Sequence, residues 1–265
     1  MLKINHLNIQ FHDTDPVTEA VTDFSMKMNP GEIIGIVGES GSGKTMTALA
    51  MMGLLNRYAK TSGEIWFQDR NLLELSPQEL QKIRGKDMGM IFQEPMTSLN
   101  PVLRIGEQVE ESLRLHEKLT KEEYKNRALK MMQAVELPTP EEIYNKYPHE
   151  LSGGMRQRVM IASALICNPA LLIADEPTTA LDVTIQKQII QLLKWVNQKN
   201  GTAIMFISHN LGVVQELCDR VVVMYKGKIM EEGYIGDVFY RPKDDYTKRL
   251  LDAIPTRNHS LRRRK

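Results

Sequence analysis

The stretch Gly38-Glu39-Ser40-Gly41-Ser42-Gly43-Lys44-Thr45 carries the pattern G-x-x-x-x-G-K-[ST]. Its chemistry is phosphate binding. Glycines let the backbone curl so that successive N–H groups point inward at phosphate oxygens. Lys44 supplies a point charge at the β- and γ-phosphates of a nucleotide, and Thr45 offers a hydroxyl to Mg²⁺. A helix beginning near Thr45 adds its positive N-terminal end.

A second constellation is Leu171-Leu172-Ile173-Ala174-Asp175-Glu176, an apolar run closed by two carboxylates. A buried strand of this kind sets its carboxylates at the C-terminal edge of a sheet, where α/β proteins bind ligands. Asp175 suits the Mg²⁺ shell, which keeps several waters and takes only one or two carboxylates. Glu176 suits the lytic water, as base or orienting group. Gln93, after Met90-Ile91-Phe92, and His209, after Met205-Phe206-Ile207-Ser208, end strands on the same expected edge. A neutral amide there can touch Mg²⁺ or the attacking water. An imidazole can hydrogen-bond a γ-phosphate oxygen and so report its presence. Taken singly, each is an ordinary polar residue at a strand terminus; their shared location gives them a role.

The third is Leu151-Ser152-Gly153-Gly154-Met155, ahead of a long helical stretch. A serine and two glycines at a helix start make an anion-binding nest. One chain already has its phosphate loop, so a second anion site needs a reason. A two-fold dimer supplies one: the nest would cap the γ-phosphate held by the partner's loop.

These residues need a scaffold, and the pattern around them describes it. Leu7–Phe11 and Phe24–Met28 alternate as strands, and Ile33–Val37 is a continuous apolar run suited to a parallel strand buried on both faces. A helix is expected from Lys44 to about Leu55, then strands at Gly63–Phe67 and Met88–Phe92. Ser76-Pro77-Gln78-Glu79, Thr120-Lys121-Glu122-Glu123 and Thr139-Pro140-Glu141-Glu142 all carry capping-box spacing. Helical pattern dominates from Glu94 to about Tyr147. Strands return at Ala170–Ala174, Thr202–Ile207 and Arg220–Met224, with a helix over Val183–Lys199 stopped by Gly201 and a hairpin turning at Gly227. Strands alternating with helices predict a parallel α/β sheet.

At 265 residues, one core with an inserted subdomain is the natural organisation. The formal net charge of +1 argues against a nucleic-acid partner, which calls for a basic surplus or stripe. Cys167 and Cys218 form no CxxC pair and read as two small buried hydrophobes. The N-terminus lacks the look of a signal peptide, and no stretch reaches about 20 uninterrupted apolar residues, so the expectation is a cytosolic chain that docks on a membrane from the side. The basic end, Leu261-Arg262-Arg263-Arg264-Lys265, reads as a solvated tail.

In this order the motifs resemble those of the ATP-binding-cassette ATPases. Gly38–Thr45 resembles the Walker A loop, Asp175 and Glu176 the end of Walker B, and Gln93 the Q-loop. Leu151–Met155 resembles the family signature, Ala180-Leu181-Asp182 the D-loop, and His209 the switch histidine. A nearer similarity is to the ATPases of oligopeptide, dipeptide and nickel importers. It rests on Ile91–Pro101, Leu151–Val159, Glu176–Thr184 and Tyr246–Pro255; in that group Met155 stands where the broader family has glutamine. Two departures are visible. The chain stops before the cysteine-containing C-terminal region of longer members, so no iron–sulfur cluster is expected. Asp244-Asp245 also replaces the usual histidine-proline before the tyrosine.

The resemblance implies a P-loop NTPase (RecA-like) fold: a mostly parallel sheet, an N-terminal antiparallel β subdomain and an inserted helical subdomain. The expected segments are a first core part over 1–93, a helical and signature part over 94–154, a second core part over 155–254 and a tail over 255–265. It implies ATP and Mg²⁺ as ligands, and Phe11 as the aromatic that stacks on adenine, with a core phenylalanine as the alternative. Implied partners are a second ATPase subunit, identical or related, two integral-membrane permeases and, indirectly, an extracytoplasmic binding protein. Residues around Pro95 to Pro101 would line the groove for a permease helix. The implied place is the cytoplasmic face of the membrane. The implied cargo is peptides, with nickel or another metal chelate as the alternative. A soluble cassette protein uncoupled from transport and a P-loop kinase fit less well, because a signature nest and His209 serve no purpose in the kinase scheme.

Overall fold

The computed structural model describes residues 1–12, 16–93, 98–179 and 181–253. The chain divides into two compact units, Met1–Leu80 with Ala203–Lys265, and Gln81–Thr202.

The first unit opens with β1 (Leu2–Phe11) and β2 (Thr18–Met28), which pair antiparallel and continue through β4 (Ala59–Phe67) to the short β5 (Arg70–Asn71). β1 buries Leu2 and Ile4, then Leu7 and Ile9. The switch from even to odd positions coincides with a register shift between Ile4 and Leu7, where His6 sits at φ 49. A bulge changes which face the following side chains take. Each half alternates by itself, and the bulge joins them into one strand longer than the expected Leu7–Phe11.

The same unit holds β3 (Ile33–Val37), with β8 (Ala203–Ile207) and β9 (Arg220–Tyr225) parallel on either side of it, and β10 (Lys228–Tyr234) antiparallel on β9. All five residues of β3 and of β8 are buried, as continuous apolar runs require. Lys226 at φ 45 and Gly227 at φ 80 make the expected hairpin turn between β9 and β10.

Helix α1 (Lys44–Met51) stops short of the expected Leu55, and α2 (Pro77–Ile83) follows later in the chain. Gly53 at φ 60 donates to Ala50 O, and Leu54 N reaches back to Leu49 O at 2.8 Å. This paired bonding closes the last carbonyls and ends the helix.

The second unit contains the parallel pair β6 (Met88–Ile91) and β7 (Leu171–Asp175). Its helices are α3 (Ile105–His116), α4 (Lys121–Ala134), α5 (Pro140–Tyr144), α6 (Gly153–Leu165) and α7 (Val183–Asn200). Helices α3, α4 and α6 pack against one another, and α5 rests on α3 and α4. Their centre holds Glu110, fully buried, which accepts from Arg114 and from the Tyr144 hydroxyl. A buried carboxylate needs such partners.

The capping boxes at Ser76 and Thr120 form. Thr120 N donates to Glu123 Oε2 at 2.7 Å, and Glu123 N returns to Thr120 Oγ1 at 3.3 Å. The box expected at Thr139 does not. Thr139 lies in the left-handed region at φ 40, which turns its hydroxyl to the Glu142 carboxylate at 3.3 Å, and no backbone amide is capped.

The first unit is completed by α8 (Leu211–Leu217), α9 (Ile235–Tyr240) and α10 (Asp245–Asp252).

Candidate functional site

The phosphate loop leaves the buried end of β3 and runs directly into α1. Gly38, at φ 152, passes so close to the β9 backbone that a Cβ there would lie 2.1 Å from Met224 O. Gly43 caps α1 in the left-handed region at φ 100, with Ala20 O 2.6 Å from where a Cβ would be. Both positions admit only glycine. Lys44 curls back into the loop, and its Nζ donates to Gly38 O at 2.9 Å, Glu39 O at 2.8 Å and Ser42 Oγ at 3.3 Å. The ammonium is thus held over the loop by neutral oxygens. Glu39, Ser40 and Gly41 are exposed, whereas Ser42 and Gly43 are buried and Thr45 is half-buried.

His209 belongs to the same unit. β8 is locked to β3 through Ser208 N to Ile36 O at 3.1 Å, so His209 leaves the same sheet edge as the phosphate loop. Its neighbours fix the backbone. Asn210 N donates to Ser208 Oγ, and the Asn210 side chain caps α8 through Gly212 N and Val213 N. Phe11 ends β1 half-buried, opposite Thr18 and Ala59. The adjoining strand β2 supplies the Ala20 carbonyl against Gly43.

In the second unit, Asp175 closes β7 and is buried, and Glu176 follows at φ 50. The positive φ turns the chain sharply at the strand end. Thr179 Oγ1 donates to Glu176 Oε2 at 2.8 Å, which orients the carboxylate. β6 runs parallel to β7 with Ile91 opposite Ala174, so Gln93, exposed, leaves the same edge as Asp175.

The signature residues lie at the start of α6. Ser152 is its N-cap, accepting from Met155 N at 3.3 Å, and Gly153 and Gly154 form the first turn, which carries no acidic residue. Ser152 and Gly153 are exposed. Gln157, one turn along, is buried and donates to Pro177 O at 2.7 Å, which ties α6 to the turn after Glu176. Asp182 caps α7 through Thr184 N and Ile185 N, and Ile185 packs beside Gly154.

Within the first unit the structure therefore brings together the phosphate loop and His209, and within the second Gln93, Asp175 and Glu176, with the signature turn tied to them. The roles of Thr179 and Gln157 escaped sequence reading, because a polar residue within a turn or helix carries no sign of its partner. Ala180, residues 94–97 and residues 254–265 lie outside the described residues, and with them part of the expected permease groove and of the terminal motif. Cys218 is buried as expected, but Cys167 is only half-buried. Burial pushes the Cys167 thiol up to about 11, so it is a poor nucleophile near neutrality. Among the described residues no cluster of three His, Cys, Asp or Glu could hold a metal ion, and no helix is long and apolar enough to cross a membrane.

The sequence profile described as ABC transporter matches residues 21–179. The chain belongs to this family. It is an ATP-binding-cassette ATPase, with the P-loop NTPase fold that its motifs imply. A probable peptide ABC transporter ATP-binding protein of Sinorhizobium fredii is 48% identical over 266 residues, spanning 100% of this chain and 79% of that protein. The glutathione import ATP-binding protein of Salmonella choleraesuis is 49% identical over 275 residues; this ATPase spans 44% of its length. The solved ATP-binding cassette MJ0796, a dimer in a post-hydrolysis state bound to ADP and Pi, superposes with a TM-score of 0.81 at 31% identity, covering 89% of this chain and 99% of that one.

Proposed function

We propose that this ATPase energises uptake of peptides through partner permeases, working as half of a nucleotide-sandwich dimer. The observation that carries the dimer is the signature turn. Ser152 and Gly153 are exposed at a helix N-terminus, in a segment of the chain separate from Gly38–Thr45. An exposed anion nest additional to the phosphate loop fits a partner's γ-phosphate. The peptide cargo is supported by the similarity to a protein named for peptide transport and to one named for glutathione import, glutathione being a small peptide.

In this reading Gly38 to Thr45 bind the triphosphate, Phe11 stacks on the adenine and Ser152, Gly153 and Gly154 cap the nucleotide of the neighbouring subunit. Thr45, Asp175 and Gln93 would hold Mg²⁺. Their donor set is hard oxygen, which suits an ion that takes few protein ligands and completes its shell with phosphate and water. When bound, Mg²⁺ neutralises charge on the β- and γ-phosphates. Glu176 orients and deprotonates the attacking water, and His209 holds a γ-phosphate oxygen. Hydrolysis removes the bridge between the two subunits, and the dimer relaxes.

The proposed segments are 1–93, 94–154 and 155–254, with a tail over 255–265. The proposed partners are a second ATPase subunit, two permeases at the cytoplasmic face of the membrane and, through them, an extracytoplasmic binding protein. Purification from the native membrane tests the assembly. Permeases and a second ATPase should co-purify, and deletion of the chain should stop uptake of labelled peptides. Normal peptide uptake without it would overturn the cargo. A Glu176→Gln form that stays monomeric with MgATP would overturn the dimer.

A further inference from the structure

We infer that Tyr246 is a positioning residue for ATP, by which the last described helix holds the phosphate loop in shape. The inference rests on the reading of Gly38–Thr45 as the ATP site. Its basis is one peptide plane. The carbonyl of the Gly38–Glu39 peptide accepts from Lys44 Nζ at 2.9 Å, and the N–H of the same peptide, on Glu39, donates to the Tyr246 hydroxyl at 3.3 Å. The plane is therefore gripped at both ends.

The two grips differ in what happens to them during binding. Lys44 must turn toward phosphate oxygens to act, and in doing so it gives up loop carbonyls. The Tyr246 grip is independent of that movement. It keeps the peptide after the unusual Gly38 conformation, φ 152, from reorienting when the lysine leaves. A loop that stays in one shape loses less conformational freedom on binding, which favours affinity.

Tyr246 is itself well held. Its ring is buried and packs against Tyr225 in a tilted pair, centroids 4.3 Å apart and planes 31° apart, and burial raises its phenol above the ordinary tyrosine range, so it stays protonated. Tyr225 ends β9, and the hairpin after it contacts the loop: Gly227 N donates to Ser42 O at 3.1 Å. Helix α10 is capped by Asp244, which accepts from Tyr246 N at 2.8 Å and Thr247 N at 3.2 Å. The Glu231 carboxylate of β10 accepts from the amides of Lys243 and Asp244. Asp244 is the first of the two residues, Asp244-Asp245, that stand in place of histidine-proline. An aspartate there still delivers the tyrosine, because its side chain supplies the cap that starts the helix.

Three variants test this in the full chain, by steady-state ATP hydrolysis, equilibrium binding of a fluorescent ATP analogue and urea unfolding. Tyr246→Phe keeps the ring and removes the acceptor. It should raise the KM for ATP and weaken analogue binding about threefold to tenfold, the scale of one hydrogen bond, with kcat within about twofold. Tyr225→Phe, which leaves the Tyr246 hydroxyl in place, should keep the parent KM. An unchanged KM in Tyr246→Phe overturns the inference, including the case where only its urea midpoint falls. An equal rise in Tyr225→Phe overturns it as well. Lys44→Ala separates this from failure of the underlying reading. Lost nucleotide binding in Lys44→Ala leaves the ATP site standing whatever Tyr246 does, and retained binding removes both.

Discussion

The chain has two glycine-rich turns that we propose bind phosphate, and they owe their glycines to different causes. In the phosphate loop the fold itself demands them: Gly38 and Gly43 have positive φ, and a methyl at either would meet a backbone carbonyl at 2.1 or 2.6 Å. In the signature turn it does not. Gly153 and Gly154 have no positive φ; a methyl on Gly153 would meet nothing within 4 Å, and one on Gly154 only the Ile185 side chain at 3.4 Å. Glycine at a helix start forgoes the stability alanine would give. The first turn is shaped from within, whereas the second has little of its own chain against it, as the proposed cap on a partner's nucleotide requires. A structural need and an interaction need leave the same letter in the sequence.

The largest effect expected concerns chemistry alone. Glu176→Gln should keep ATP binding while turnover falls about a hundredfold to ten-thousandfold, the range for loss of a general base. Nucleotide binding and phosphate release measured together check this, and parental turnover would remove Glu176 from its role. Next comes the glycine contrast. Gly38→Ala should destabilise the fold by about 2–3 kcal/mol, seen as a lower urea midpoint, because the clash is with backbone and cannot be relieved by a rotamer.

Gly153→Ala should leave the midpoint unchanged or raise stability by at most about 0.5–1 kcal/mol. It should nonetheless depress ATP turnover and ATP-dependent dimerisation. A Gly153→Ala protein that unfolds easily, or one that hydrolyses ATP normally, breaks the comparison. A smaller effect separates the two threonines of the helical region. Thr120→Ala should cost about 1 kcal/mol for the lost cap, whereas Thr139→Gly should be neutral or stabilising because it relieves φ 40.

The smallest expected effect contrasts the cysteines, one in each unit. Burial raises the Cys167 thiol from 9.0 to about 11, so the folded chain keeps a proton that the unfolded chain sheds above about 9. The associated stability is intact below pH 9 and is lost as pH climbs through 11. Cys167→Ala should flatten that part of the pH–stability curve. Alkylation of the folded protein at Cys167 should accelerate across the same window, while Cys218, buried behind Gly35, should stay unreactive until unfolding.

Much of the site was legible because its chemistry is local. A phosphate loop needs its glycines, lysine and threonine in one contiguous run, and Asp175 and Glu176 follow directly from a readable strand. Strand cores such as Ile33–Val37 were legible for the same reason. What escaped reading depended on distant partners or on backbone irregularity. The joining of Leu2–Asn5 to Leu7–Phe11 depended on the bulge at His6, and the α1 end on a cap whose signal, Gly53, is a single residue. Thr139 shows the converse: the spacing for a capping box was present, and a left-handed backbone diverted it.

The sequence by itself determined the chemistry available: which residues can bind phosphate, hold a divalent cation and activate water, and in what order along the chain. Only the tertiary structure decided what holds those residues in place. The Met224 carbonyl that makes Gly38 obligatory, the Pro177 carbonyl that anchors Gln157 and the Tyr246 hydroxyl that grips the loop all come from remote segments. The reason is physical. Reactivity belongs to side-chain type, which the sequence spells out, whereas position is set by contacts between residues far apart in the chain, which exist only after folding.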